Sequence, residues 1–136
     1  LAIYLLDTNI LTALAQGDSK AVKHLQGLAA DDEICTCFVV LGEWEYGILN
    51  AIGARKQARI RALGETIFAA LTQVWDSTPS IALRYGAIQA TLRAQGQMIP
   101  TNDVWIAAVA LEKAATVVTT DPHFQRVPEL SVTTWI

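Results

Sequence analysis

No apolar stretch of this chain approaches the roughly 18 residues needed to span a membrane. No basic leader followed by an apolar run marks a secretory signal. There are only two histidines, His24 and His123, and two cysteines, Cys35 and Cys37. With no second cysteine pair and no histidine nearby, the cysteines do not read as a zinc site. They read as buried, reduced thiols, the default of a cytoplasmic protein. No serine or cysteine has a histidine placed to activate it, and each histidine reads as a surface or structural residue. No glycine run follows the G-x-x-x-x-G-K-S/T pattern that cradles phosphates. Positive charge is scarce too: 10 Lys and Arg against 13 Asp and Glu leave a formal net charge of −3. That is not the footprint of a protein that holds nucleic acid by bulk positive charge. It leaves open an acidic site that works through a metal ion.

What is present is apolar and periodic. The 136 residues, 52% hydrophobic and 17% charged, fit one domain, 1–136. A domain of this size can bury roughly 70% of the surface its unfolded chain exposes, and the apolar excess suits a partner-covered surface. Short β-rich runs (2–6, 33–37, 73–75, 116–120, 131–135) alternate with helical patterns (10–15, 19–29, 39–52, 55–71, 79–95, 103–115). Pro79 favours a helix first turn, Gly96 stops that helix, and Thr101 or Asn102 is the expected cap of the next. The alternation predicts an α/β fold: a central, mostly parallel sheet of four to five strands, with helices on both faces and right-handed crossovers.

Among the acids, two stand at strand ends. The apolar run from Leu1 to Leu6 stops at Asp7, and the run 116–120 stops at Asp121. In a parallel sheet both reach the carboxyl edge, where ligands bind. The simpler reading of Asp7 is a helix cap. Asp103 lies in the first turn of the last helix, where an acid offsets the helix dipole. On a helical wheel Leu41, Trp44, Ile48 and Ile52 share a stripe, with Glu43 nearly opposite and Glu45 close to it. Periodicity does not choose between these two acids. Carboxylates packed together raise each other's pKa, and a divalent cation makes such a cluster tolerable. Hard oxygen ligands suit Mg²⁺ or Mn²⁺.

Four segments carry a resemblance. Tyr4-Leu5-Leu6-Asp7-Thr8-Asn9-Ile10-Leu11 resembles the opening of PIN-domain proteins, in particular the VapC toxins of toxin–antitoxin pairs. Leu41-Gly42-Glu43-Trp44-Glu45-Tyr46-Gly47 is similar to that family's alanine-glutamate-leucine-x-x-glycine segment, with Gly42 for the usual alanine and Trp44 for the usual leucine. Asn102-Asp103-Val104-Trp105-Ile106-Ala107-Ala108 resembles its asparagine-aspartate-x-x-isoleucine-alanine-alanine helix start. Thr116-Val117-Val118-Thr119-Thr120-Asp121-Pro122-His123-Phe124 resembles its final acidic segment, whose acid varies within the family. The blocks fall in family order.

The resemblance implies a PIN fold and a metal-dependent endoribonuclease. Asp7, Glu43, Asp103 and Asp121 would be the catalytic, metal-holding acids, with Mg²⁺ the ion and Mn²⁺ its substitute. It chooses Glu43 over Glu45. Thr8, Asn9, Asn102 and Thr119 would orient the carboxylates. It implies an RNA substrate and a cognate antitoxin; the high apolar content suits such a partner and suits a homodimer too. Arg55, Lys56, Arg59 and Arg61 form a basic run suited to phosphate or to an acidic partner; Arg84 and Arg93 are further candidates. Trp105 could stack on an unpaired base or pack in the core. The rival readings are an inert PIN-like binding module, a receiver-like phosphoacceptor domain, for which no lysine follows a late strand in the right setting, and a phosphohydrolase with Asp7 as nucleophile. The phosphohydrolase lacks an aspartate at position 9, where Asn9 stands.

Overall fold

Five short strands make one sheet: β1 (Ile3–Leu6), β2 (Glu33–Cys37), β3 (Gln73–Trp75), β4 (Thr116–Val118) and β5 (Val132–Thr133). They are seen in a computed structural model that describes residues 1–136. The order is β3-β2-β1-β4-β5, and every pairing is parallel. Six helices join them: α1 (Thr8–Ala15), α2 (Ser19–Gln26), α3 (Phe38–Leu49), α4 (Ala54–Ala70), α5 (Pro79–Ala94) and α6 (Thr101–Lys113). A single 3-10 turn, Pro122–Arg126, links β4 to β5. No helix is long and apolar enough to cross a membrane.

The chain steps from β1 to β2 to β3, then crosses back to place β4 on the other side of β1. Right-handed crossovers therefore put α1 to α4 on one face and the α5–α6 pair on the other. The reversal opens a crevice between the carboxyl ends of β1 and β4, the place where open α/β sheets bind ligands. At its floor the Asp7 N–H donates to the Val118 carbonyl across 3.0 Å. Leu5, Leu6, Val117 and Val118 are wholly buried, as strands covered on both faces require.

A side-chain cap sets three of the six helix starts, those of α1, α2 and α5. Asp18 accepts from the Ala21 N–H at the head of α2. Thr78 accepts from the Ile81 N–H at the head of α5, with Pro79 in the first turn. The helix α6 departs from expectation: Pro100 holds its cap position with no side-chain bond, and Thr101 and Asn102 lie exposed in its first turn. The strands β4 and β5 are shorter than their sequence runs, so Asp121, expected at the end of the run 116–120, lies three residues beyond the end of β4. The helix α3 ends at Leu49, leaving Ile52 93% exposed.

On α3 the buried residues are Val40, Trp44 and Ile48. The Trp44 indole lies against Gly64 of α4, where an added Cβ would stand 2.6 Å from Nε1. Alanine favours a helix over glycine by about 1 kcal/mol, but overpacking costs about 1–3 kcal/mol. Gly64→Ala is therefore expected to destabilise the protein in urea unfolding. The Gly86→Ala variant, in mid-α5 with open space around it, is expected to gain about 0.5–1 kcal/mol. Equal gains at both positions would show that the Trp44–Gly64 contact is loose.

Candidate metal centre

Asp7 does both things its sequence setting allows. It is the cap of α1, where Oδ1 accepts from the Thr8 N–H at 2.8 Å. Its other oxygen, Oδ2, faces the crevice, accepting from Thr119 Oγ1 at 2.7 Å and from Asn9 Nδ2 at 3.3 Å. The same Thr119 hydroxyl accepts from the Asp121 N–H at 3.0 Å, and Asn9 Oδ1 accepts from the Thr120 N–H at 3.1 Å. This polar net ties the end of β1 to the segment that follows β4.

Glu43 reaches the crevice from α3, where its Oε1 accepts from Thr8 Oγ1 at 3.0 Å. The Asn102 side chain also faces it. Glu45 turns away and is held by Arg61 through two bonds of 2.8 and 3.0 Å. The two acids flank Trp44, each about 100° from it around the helix, so one shoulder faces α1 and the other α4. The wheel missed this because Leu41 and Ile52, which it counted as core, are 43% and 93% exposed.

Asp103, in the first turn of α6, is 8% exposed. Asp121 caps the 3-10 turn and accepts from the His123 N–H at 2.9 Å. That turn carries the His123 imidazole into the acid cluster: Nδ1 lies 2.9 Å from Asp121 Oδ1 and 3.2 Å from Asp103 Oδ2. The sequence reading of His123, surface or structural, did not anticipate this contact with the acids, although the side chain is still 35% exposed. The one available signal was its spacing, two residues beyond Asp121. His24 is remote, stacked on Trp135 with ring centroids 6.0 Å apart.

Burial raises the pKa of Asp7, and the Asp121 charge raises it further against the bonds from Thr119, Thr8 and Asn9. Burial likewise raises Glu43, with Asp7 adding to it. Asp103 is pushed up to about 6, first by burial and then by Asp121 and Asp7, against the His123 hydrogen bond. No lysine or arginine lies within 4.0 Å of any of the four acids; the Arg ion pairs are Arg61–Glu45 and Arg84–Glu112. A cluster of hard oxygen donors without a strong cation fits a divalent ion. Cys37, buried and within reach of the charges of Asp7 and Glu43, has its thiol pushed up to about 11, first by burial.

The basic run divides. Lys56 and Arg59 line a groove of about 420 Å³ between α1, α3 and α4, which ends at Thr8 and Glu43. Arg55 and Arg93 are exposed, and Arg61 and Arg84 are engaged by Glu45 and Glu112. Trp105 is half-buried, stacked on Tyr85 at 3.9 Å. It also borders a second, open groove with Phe38, Tyr46 and Asn102 that reaches Glu43.

A carboxyl whose folded pKa is raised binds more protons in the native than in the unfolded state between the two values. Its contribution to stability therefore falls as pH rises through that window. For Asp103 the window runs from 3.8 to about 6. Asp103→Asn is expected to stabilise the metal-free protein at pH 7 by roughly 1–3 kcal/mol, and the gain should shrink towards pH 4. Thermal unfolding in EDTA across that range measures it; a melting temperature below wild type at pH 7 would refute the repulsion.

The PIN domain family profile matches residues 4–130 of the chain. Ribonuclease VapC2 of Rickettsia felis is 30% identical over 135 residues, covering 98% of each chain. Ribonuclease VapC1 of Haemophilus influenzae is 32% identical over 136 residues, again covering 98% of each. Among solved structures, VapBC2 of Rickettsia felis bound to a DNA fragment from its promoter superposes with a TM-score of 0.89 at 27% identity, covering 98% of this chain and 99% of that one. VapBC-1 of nontypeable Haemophilus influenzae gives a TM-score of 0.83 at 28% identity, covering 98% of both. The fold, the strand order around the crevice and these likenesses agree: the chain belongs to the PIN domain family.

Proposed function

We propose that this protein is a divalent-cation-dependent endoribonuclease, the toxin of a VapBC-type toxin–antitoxin pair, acting in the cytoplasm. The observation that carries the reading is a run of acids along one crevice: Asp103 and Asp121 lie within 4.8 Å of each other beside His123, Asp7 feels the charge of Asp121, and Glu43 feels that of Asp7, with no lysine or arginine partner among them. The relatives named as ribonucleases support the activity.

On this reading Asp7, Glu43, Asp103 and Asp121 hold Mg²⁺, or Mn²⁺ in its place. The bound ion supplies a Lewis acid for the phosphodiester and lowers the pKa of attacking water. The chain's own part is positioning. Thr119 and Asn9 fix Oδ2 of Asp7, and Thr8 fixes Glu43. With these oxygens held in advance, little reorganisation is needed when charge develops on the phosphate. Lys56 and Arg59, on the groove that meets Glu43, are placed to contact backbone phosphates on either side of the cut.

That same groove is the candidate seat of an antitoxin segment, because its apolar lining includes Trp44, Ile48, Ile60 and Leu63. The similar solved structures that are toxin–antitoxin complexes support a partner of this kind. The exposed Leu41, Tyr46 and Leu49 on α3 support a homodimer.

Purified, partner-free protein is expected to cut RNA with Mg²⁺ or Mn²⁺ and to stop in EDTA. Losing an outer partner of a metal ligand costs roughly 10–100-fold, so Asp7→Asn and Asp103→Asn should each lose at least about 100-fold. Gel analysis of total RNA, with sequencing of new ends, is the measurement. Cleavage that survives EDTA and both substitutions would come from a contaminant or another site, and would remove the basis for this reading.

A further inference from the structure

The four-acid reading leaves one side chain at the crevice without a task. His123 is 35% exposed, yet its ring reaches into the acids. Its Nδ1 is wedged between two carboxylates, and one donor atom each from Asp103, Asp121 and His123 falls within a sphere where all lie within 4.8 Å of one another. We propose that His123 is a direct nitrogen ligand of the cation, and that it gives the site a preference for transition-series divalent ions such as Mn²⁺ over Mg²⁺. The inference rests on the metal-dependent reading above and specifies which ion that site is built for.

The geometry carries it. Six ligands at about 2.1 Å around one ion stand about 3 Å apart along each octahedral edge. The Nδ1 contacts of 2.9 and 3.2 Å to Asp121 and Asp103 match such edges. The spacing of a hydrogen bond and that of adjacent ligands coincide, so Nδ1 can exchange its contacts for coordination without a backbone shift. The neutral imidazole then carries its proton on Nε2.

The local chain is built to hold the ring there. Pro122 fixes the first backbone angle of the turn, and the His123 N–H is tied to Asp121 Oδ1 at 2.9 Å. Phe124, the next residue, is wholly buried and anchors the far side. The Asp121 N–H is in turn bonded to Thr119 Oγ1, the hydroxyl that holds Asp7. An exposed surface histidine would need none of this support.

The chemistry then decides which ion. Mg²⁺ seeks oxygen and gains little from imidazole, whereas first-row transition ions accept nitrogen, with affinity rising from Mn²⁺ along the series. The remaining donors are all carboxylates, and neither cysteine stands among the clustered donor atoms of Asp103, Asp121 and His123, so the site lacks the cysteine and multiple-histidine sets that single out zinc. A mixed set of one nitrogen and several oxygens keeps an octahedral, oxygen-rich site but moves it away from Mg²⁺.

Pulsed electron paramagnetic resonance of the Mn²⁺-loaded full chain reads nitrogen coordination directly, through the ¹⁴N modulation of a bound imidazole. The modulation is expected in wild type and in His24→Gln, and is expected to vanish in His123→Gln. Mn²⁺ affinity should fall by about tenfold or more in His123→Gln, on the scale seen for altered metal surroundings, while Mg²⁺ affinity, measured by competition, moves much less. His123→Asp, which returns an oxygen ligand, should bring the Mn²⁺-to-Mg²⁺ ratio below that of wild type; circular dichroism verifies that each variant is folded. Bound Mn²⁺ without ¹⁴N modulation in wild type would overturn the role of His123 and leave the four-acid site standing. No Mn²⁺ binding at all would overturn both.

Discussion

Like charges crowded into a partly buried crevice are the constraint on which the rest of the structure turns. Two carboxylates a few ångströms apart repel by about 4 kcal/mol at an effective dielectric of about 20. Asp7, Asp103 and Glu43 all carry the mark of this, with pKa values raised by burial and by one another. Hydrogen bonds from Thr8, Asn9 and Thr119 offset part of the cost. They do not remove it, since each acid stays raised in spite of them. A structure under this strain is stable only because the apolar body around it is well packed.

The sheet reversal is what allows so many acids to meet. Asp7 and Asp121 arrive from adjacent strands, β1 and β4, on either side of the switch point. Glu43 comes down from one face of the sheet and Asp103 from the other. For Asp103 to reach the crevice, α6 must lie close to the sheet. Its wholly buried Ala107, Ala108 and Ala110 keep that approach short, and bulkier residues there would lift the helix and carry Asp103 away. Trp105 faces a different neighbour, stacking on Tyr85 of α5. One helix thus serves both the core and the crevice with alternate sides.

Which parts of this were legible in the sequence follows from the range of each signal. Strand ends are local events, so an apolar run that stops at an acid marks Asp7 directly, whereas Asp121 lies three residues beyond β4 as the cap of the 3-10 turn and owes its place to that turn. The strands 33–37 and 73–75 match their sequence runs to the residue because β-rich patterns between turn residues are also local. Glu43 and Glu45 are different. They sit on opposite shoulders of Trp44, and a helix period ranks them equally once the buried stripe is drawn through Val40, Trp44 and Ile48. Choosing between them needs the position of α1 and of Arg61, which is tertiary information. Only family resemblance selected Glu43. His123 was invisible for another reason: a single 3-10 turn has no periodicity, so nothing local says which way its side chain points.

The groove along α1, α3 and α4 shares Thr8 and Glu43 with the acid cluster. Any chain segment that fills it must touch a carboxylate of the crevice, or the hydroxyl that holds one. Its binding and that of a cation are then not independent. If the segment brings a positive charge to Glu43, it relieves the same repulsion that a divalent ion relieves, and each weakens the need for the other. If it brings only apolar contact, it buries Glu43 further, raises its pKa and makes the cation more valuable. Linkage is reciprocal in both cases: whatever a partner does to metal affinity, the metal does to partner affinity. The sign of that coupling therefore reports the charge of the residue a partner places beside Glu43.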